Sequence, residues 1–151
     1  MGTPRAVLVR RTTELDELVA HHGTRGQAEF FLRTREQSIE PLVQRHQGTQ
    51  AARQTVLAAV PPDWRRAEVE RAELARFVFE PDDVVIVVGQ DGLVANVAKY
   101  LAAQPVIGID PLPGANPGVL VPHSAAATGD LVRDVVAGRA AYLERTMVRA
   151  V

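Results

Sequence analysis

The segment Gly89–Gly92, which reads GQDG, combines two glycines with a carboxylate and is the first candidate for chemistry in this chain. It directly follows Val84–Val88, a run of five apolar residues that predicts a buried strand. From Leu93 to Ala103 the apolar residues recur at helical spacing. The sequence therefore predicts a strand that ends in a glycine turn, followed at once by a helix.

This turn is suited to binding phosphate. Gly89 can turn sharply, and Gly92 can let a ligand approach the backbone closely. A helix that begins near Leu93 points its first amide groups and its positive dipole end at the same place. Asp91 is anionic, so it needs a second explanation: it accepts a proton from a substrate hydroxyl, or it holds Mg²⁺ bound to the phosphates. The alternative is a plain turn residue that caps the helix, since Asp is a favoured N-cap.

A second polar residue is expected at the same edge of the sheet. Pro105–Ile109 is another short apolar strand, and the Pro- and Gly-rich segment Asp110–Gly118 after it must be a loop. Ligands of parallel sheets bind outside the carboxyl ends of the strands, which places Asp110 on the same rim as Asp91. An Asx turn within the loop is the competing interpretation of Asp110.

The remaining elements alternate between strand and helix, which predicts an α/β fold with a parallel sheet and helices on both faces. Besides the two strands above, Arg5–Arg10 reads as a buried strand and Trp64–Glu70 as a weaker one, because it is rich in arginine. A long helix should begin near Gln27, kink or break at Pro41, and restart at Gly48 to run to Ala59. The last helix should span Thr128–Val136 and end at Gly138, and the arginines within residues 65–76 should form a solvated face.

Composition excludes several classes of protein. The chain has 151 residues, a net charge of −1 and a pI near 6.4, which gives no support for binding nucleic acid or an anionic membrane surface. It has no cysteine, no apolar run long enough to span a bilayer and no signal-peptide pattern near its start, so a cytoplasmic location is expected. No metal site is predicted, because the adjacent His21 and His22 point apart on a helix. The P-loop and GxGxxG patterns are also missing from the sequence.

The residues from Asp82 to Val121 resemble the amino-terminal domain of NAD kinases, whose superfamily includes diacylglycerol kinases and phosphofructokinases. The usual motif of that family is GGDGT, and here it reads GQDGL over residues 89–93. The stretch PVIGIDPLPGANPGVLV, residues 105–121, is similar to a second family segment, with Asp110 where Asn is usual. Glu144 and Arg145 stand where the family commonly has a Glu-Arg pair in the strand that leaves this domain.

This resemblance implies ATP-dependent, or sometimes polyphosphate-dependent, phosphorylation of the 2′-hydroxyl of NAD to give NADP. Asp91 would activate that hydroxyl, with Mg²⁺ as the companion of ATP. The nucleotide and phosphates would contact a small set of residues around the turn and the next strand end: Gly89, Gln90, Gly92, Leu93 and Asp110. Phosphoryl transfer asks a protein mainly for positioning and charge stabilisation, and these residues fit that demand.

The same resemblance predicts how the chain is organised. Residues 1–138 would be the nucleotide-binding domain, and residues 139–151 would be either the start of a second, β-rich domain that this chain lacks or an exposed terminal strand. An exposed strand favours self-association, so a homo-oligomer is expected. The active site would then be incomplete in this chain. Two alternatives stay open: a non-catalytic nucleotide-binding or assembly module, and a kinase of the same superfamily that acts on a lipid or another small alcohol.

Overall fold

Five parallel strands form one sheet in the computed structural model, which describes residues 3–113 and 119–138. The strands are β1 (Arg5–Arg10), β2 (Arg65–Glu70), β3 (Val84–Val88), β4 (Val106–Asp110) and β5 (His123–Ser124). Their order across the sheet is β2-β1-β3-β4-β5, and every neighbouring pair is parallel. This is the strand order of flavodoxin-like doubly wound sheets. The predicted α/β class with a parallel sheet is confirmed.

Five α-helices and two short 3₁₀ helices accompany the strands in the described part of the chain. The α-helices are α1 (Glu14–His22), α2 (Arg25–Thr34), α3 (Glu40–Ala59), α4 (Asp91–Ala98) and α5 (Thr128–Val136). The 3₁₀ helices span Arg71–Arg76 and Ala125–Ala127. Within the described residues, no helix is both long enough and apolar enough to cross a membrane.

Helices cover both faces of the sheet, as predicted. On one face the buried side chains of α3 and α5 pack against the even-numbered side chains of β1 and β3, such as Leu8 and Ile86. On the other face α4 and the first 3₁₀ helix pack against the odd-numbered side chains, such as Val9 and Val87. Both faces of β3 are therefore buried, which explains why its sequence is apolar without alternation.

The chain leaves β1 and β3 towards opposite faces of the sheet. After β1 it continues through the helices that end with α3 on one face, and after β3 it enters α4 on the other. Because β1 and β3 are neighbours, the two connections diverge at their carboxyl ends. Such a divergence opens a crevice at the edge of a doubly wound sheet, and ligands bind there.

Three of the predicted helix boundaries were wrong: the restart at Gly48 and both ends of α4. The chain does break before Pro41, because α2 ends at Thr34 and Pro41 occupies the first turn of α3. However, α3 continues through Gly48 without a restart, since its buried side chains on the sheet outweigh the low helix propensity of one glycine. Helix α4 begins at Asp91 and ends at Ala98, so it starts before Leu93 and stops well short of Ala103.

A buried carboxylate, that of Asp83, lies at the amino-terminal ends of the strands, on the edge of the sheet opposite the crevice. Asp83 is fully buried and accepts hydrogen bonds from Arg5 Nε at 2.9 Å, from Arg5 Nη2 at 2.6 Å and from the Glu80 backbone N–H at 2.7 Å. A buried carboxylate needs such partners to offset the loss of hydration. The Arg5–Asp83 pair therefore has a structural explanation and does not need a ligand.

Gly108 in β4 is a position where only glycine fits. The chain that returns from the loop passes so close that a Cβ on Gly108 would overlap the Leu120 carbonyl oxygen and lie 3.0 Å from the Val121 Cα. The obstacle is backbone, which cannot rotate away as a side chain can. This contact seats Val121, itself buried, against the sheet.

We predict that Gly108→Ala destabilises the protein by about 3 kcal/mol, because the new methyl group must displace a neighbouring backbone segment. Gly26→Ala is the matched control: Gly26 lies in α2 with open space around it, so alanine there should raise stability by about 0.5 kcal/mol. Urea unfolding of the two variants beside the wild type checks both values. Equal stability of Gly108→Ala and the wild type would contradict the packing described here.

Candidate functional site

A cleft of about 350 Å³ lies at the carboxyl edge of the sheet, where β1 and β3 diverge. We call it the switch-point cleft. Residues that follow four different strands line it: Thr12 after β1, Arg71 after β2, Gly89 after β3 and Pro111 after β4. Its outer wall is formed by α1 and α3. The cleft therefore occupies the position where doubly wound folds bind ligands.

The predicted glycine turn lines this cleft through Gly89, Gln90, Gly92 and Leu93. Gln90 is the N-cap of α4, but its side chain makes no capping hydrogen bond. The first amide groups of a helix have no partner inside the helix, so this uncapped end can donate to a ligand. A Cβ on Gly92 would meet no atom within 4 Å, so there is open space beside its backbone.

Gly89 differs in detail from the expectation of a sharp turn. Its backbone φ does not lie in the left-handed region, which among the described glycines is adopted only by Gly23 and Gly138. A Cβ on Gly89 would instead lie 2.9 Å from Leu93 Cδ2. The absence of a side chain here lets Leu93, a buried residue, fold back over the end of β3.

Asp91 is the first residue of α4, and its carboxylate points to the loop that follows β4. Oδ2 accepts the Val119 backbone N–H at 3.1 Å, and Oδ1 accepts the Leu120 backbone N–H at 2.9 Å. Asp91 is not among the residues that line the cleft. It is also not the N-cap, which is Gln90. The side chain thus ties the start of α4 to the segment that packs over Gly108, and each oxygen keeps a lone pair for another donor.

Asp110 forms an Asx turn at the end of β4, which was the competing interpretation of this residue. Its Oδ1 accepts the Leu112 backbone N–H at 2.9 Å. Pro111 and Leu112 line the cleft, whereas Asp110 does not. The side chain therefore shapes the loop wall. Residues 114–118 of the predicted loop lie outside the described part of the chain, as does the predicted tail over 139–151.

Of the three arginines that line the cleft, Arg11 lies at the end of the first strand, on the rim where the sequence places phosphate, whereas Arg71 was not assigned to the site from the sequence. Arg10 pairs with Glu70 in the sheet register, so Arg11 and Arg71 leave neighbouring strands side by side, and both line the cleft. Within the described residues, neither of them forms an ion pair. Arg71 belongs to the segment that was predicted to be a solvated face. The signal that could have identified it is its position directly after a parallel strand.

Glu70, the last residue of β2, links the carboxyl ends of β1 and β2 through hydrogen bonds. Its carboxylate accepts the Thr12 backbone N–H at 3.1 Å, the Thr12 hydroxyl at 3.2 Å and the Ala72 backbone N–H at 2.6 Å. Burial raises the pKa of the Glu70 carboxyl, but these hydrogen bonds and the nearby Arg10 outweigh burial, so the net pKa is lowered. Glu70 thereby fixes Thr12 and Ala72, which follow the neighbouring strands β1 and β2.

The wall formed by α1 and α3 has a polar face of its own. Leu42, His46 and Thr49 recur at helical spacing along α3 and all line the cleft. Behind them, a separate apolar cluster joins α1, α2 and α3 through Leu15, Leu32, Ile39 and Val43. This cluster stabilises the packing of α1 and α2 on α3 and is separate from the two apolar clusters on the faces of the sheet.

The described residues contain no group of three or more His, Asp or Glu side chains that could hold a metal ion. His22, at the end of α1, packs its ring against Phe31 with a centroid distance of 4.4 Å.

Neither a scan against protein-family models nor a search of curated proteins finds a match for this chain. The likeness to NAD kinases therefore rests on the sequence motifs alone.

The lowered pKa of Glu70 gives a prediction for acid stability. Because the folded pKa lies below the ordinary value of 4.5, the ionised carboxylate stabilises the fold above that pH, and this contribution is lost as the pH falls through the folded pKa. We expect Glu70→Gln to be less stable than the wild type at pH 7 and to lose less stability between pH 5 and pH 3. Urea unfolding across this range measures both.

Glu73→Gln is the control for this comparison, because Glu73 is an exposed carboxylate on the 3₁₀ helix that directly follows Glu70. It should follow the pH dependence of the wild type closely. If Glu70→Gln also follows it, the hydrogen bonds to Thr12 and Ala72 do not contribute as described.

Proposed function

We propose that this chain is a nucleotide-binding domain that acts in NAD kinase-like phosphoryl transfer, from ATP to the 2′-hydroxyl of NAD, with NADP as the product. The observation that carries the proposal is the position of Gly89–Gly92 on the switch-point cleft. There the uncapped amino end of α4 faces a cavity at the carboxyl edge of a parallel sheet. The sequence motif and the fold thus both support a phosphate site at this position.

The charges of the cleft support this proposal. The helix end contributes amide donors and a partial positive charge, and Arg11 and Arg71 add two full positive charges at the neighbouring strand ends. Transferring a phosphoryl group needs such fixed charge around the phosphate oxygens. Mg²⁺ is taken to enter as part of the Mg–ATP substrate, and no step is assigned to a metal held by this chain.

Asp91 has a narrower role in this proposal than a free carboxylate would have. Both of its oxygens already accept backbone amides from Val119 and Leu120. The remaining lone pairs are enough to accept a hydrogen bond from the hydroxyl of a bound substrate and to orient it. Domain closure by a further β-rich unit, as in the family that the motif resembles, would have to complete the acceptor site.

A non-catalytic nucleotide-binding module is the second candidate function. The observation that favours it is the same pair of hydrogen bonds, because Asp91 lies outside the cleft lining and is explained by its contact with the loop. In this case the cleft would bind a nucleotide without chemistry. We propose a cytoplasmic, self-associating protein in either case, and size-exclusion chromatography with light scattering tests the self-association.

NADP formation from NAD, ATP and Mg²⁺ distinguishes the two candidates. We expect activity from the product of the full reading frame and little or none from residues 1–151 alone. Asp91→Asn should lower activity, and since Asn places an NH₂ group against one backbone amide, it should lower the melting temperature too. Nucleotide binding without NADP formation in any version would support the module instead.

Gly92→Ala tests the cleft separately from stability. Because a Cβ here meets no atom within 4 Å and lies in the first turn of α4, the variant should be at least as stable as the wild type. A methyl group at the helix end should nevertheless weaken ATP binding about tenfold or more, because it occupies the space that a phosphate needs. Calorimetry on Gly92→Ala and Gly26→Ala measures this, and unchanged affinity in Gly92→Ala would exclude the turn as the phosphate site.

A further inference from the structure

The wall of the switch-point cleft that faces α4 carries hydrogen-bonding groups of a different kind from the arginines. It is built from α1 and α3, which lie between β1 and β2 and have no counterpart in the sequence motif. On this wall the residues with free polar groups are Glu17, His46 and Thr49. Their chemistry decides which part of a ligand can lie against them.

His46 is held in one orientation by Thr13. The distance between His46 Nδ1 and Thr13 Oγ1 is 2.7 Å, and the same oxygen already accepts the Asp16 backbone N–H at 3.2 Å as the N-cap of α1. The Thr13 hydroxyl can donate to Nδ1 or accept from it, so this contact fixes the position of the ring with either tautomer and leaves Nε2 without a partner among the described residues. Asp16 Oδ2 lies 3.8 Å from Nδ1, beyond hydrogen-bonding distance. Nε2 is thus a ring nitrogen in a fixed position, on a side chain that is 23% exposed, and can form a hydrogen bond with a ligand.

Glu17 supplies an acceptor on the same wall. Glu14, one turn earlier on α1, is occupied by Arg45, with an N–O distance of 2.8 Å. Among the described residues Glu17 has no side-chain hydrogen bond or ion pair, although it lines the cleft. Its negative charge disfavours a phosphate on this side and favours groups that donate hydrogen bonds.

We propose that Glu17 and His46 form a hydroxyl-binding subsite for the ribose of a nucleotide whose phosphates lie towards α4. A carboxylate and an imidazole nitrogen that line the same cleft match a vicinal diol, in which each hydroxyl can both donate and accept. The opposite charges of the two walls orient the ligand: phosphate lies at Arg11, Arg71 and the helix end, and sugar lies at the α1–α3 wall. This inference rests on the proposed nucleotide-binding function and adds the residues that recognise the sugar.

Binding of ADP, 2′-deoxy-ADP, 3′-deoxy-ADP and inorganic pyrophosphate to the whole chain tests the subsite by calorimetry. We expect the wild type to bind ADP about tenfold more tightly than either deoxy compound, as the loss of one hydrogen bond to a charged group implies. Glu17→Gln and His46→Gln should reduce this preference to about twofold or less. Neither change should weaken the binding of pyrophosphate, which lacks the sugar.

Glu73→Gln and His21→Gln are the matched controls, because both residues are exposed and lie outside the cleft lining. They should keep the preference for ADP. Melting temperatures check that the variants fold, and Glu17→Gln tests the subsite without disturbing the hydrogen bond between Thr13 and His46.

The outcomes separate this inference from the proposed function. If the wild type binds ADP and pyrophosphate without a preference for the full ribose, or if both variants keep that preference, the subsite is overturned while nucleotide binding stands. If neither ADP nor pyrophosphate binds, the proposed function fails and the subsite fails with it.

Discussion

The parallel pairing of β1 with β3 is the constraint on which the rest of the structure depends. These two strands form the centre of the sheet, and the chain leaves their carboxyl ends towards opposite faces. Helices cannot cover the point from which both connections depart, so a crevice remains there although helices pack on both faces of the central strands. Every group assigned to the site follows from this arrangement. The end of α4, the arginines after β1 and β2, and the α1–α3 wall surround the same gap.

Asp91 shows how a motif residue can serve the fold and still matter for chemistry. Its two hydrogen bonds fasten the backbone at Val119 and Leu120, and that segment lies directly over Gly108. The loop that follows β4 is thereby closed at both ends: the Asp110 Asx turn shapes its start, and Asp91 holds its return. A carboxylate in this position stabilises the rim of the cleft whether or not it also contacts a substrate. The presence of the GxDG pattern alone therefore does not establish catalysis, and a measurement of activity has to be paired with one of stability.

The parts of the fold that local sequence determines were predictable, and the parts that depend on distant contacts were not. Five consecutive apolar residues mark β3 because both of its faces are buried, and Pro41 marks the start of α3 because proline suits only the first turn. The arginine-rich sequence of β2 weakened its prediction, yet an edge strand tolerates charge, and here Glu68 pairs with Arg53 from α3. The two-residue strand β5 carries no pattern at all. The partners of Asp91 lie nearly thirty positions away in the sequence, so no local signal could reveal them.

The positions of the walls suggest that affinity and specificity are separable in this site. The side proposed to bind phosphate is built from strand ends and a helix end, so its geometry is fixed by the sheet and by the main cores that support it. The opposite wall is stabilised by its own small cluster of apolar side chains and touches the sheet mainly through α3. In the proposed site, a change in α1 would therefore alter which hydroxyl groups are recognised without moving the groups proposed to bind phosphate. The sheet edge would supply binding energy that many ligands share, and the helical wall would decide among them, because only its side chains face the part in which those ligands differ.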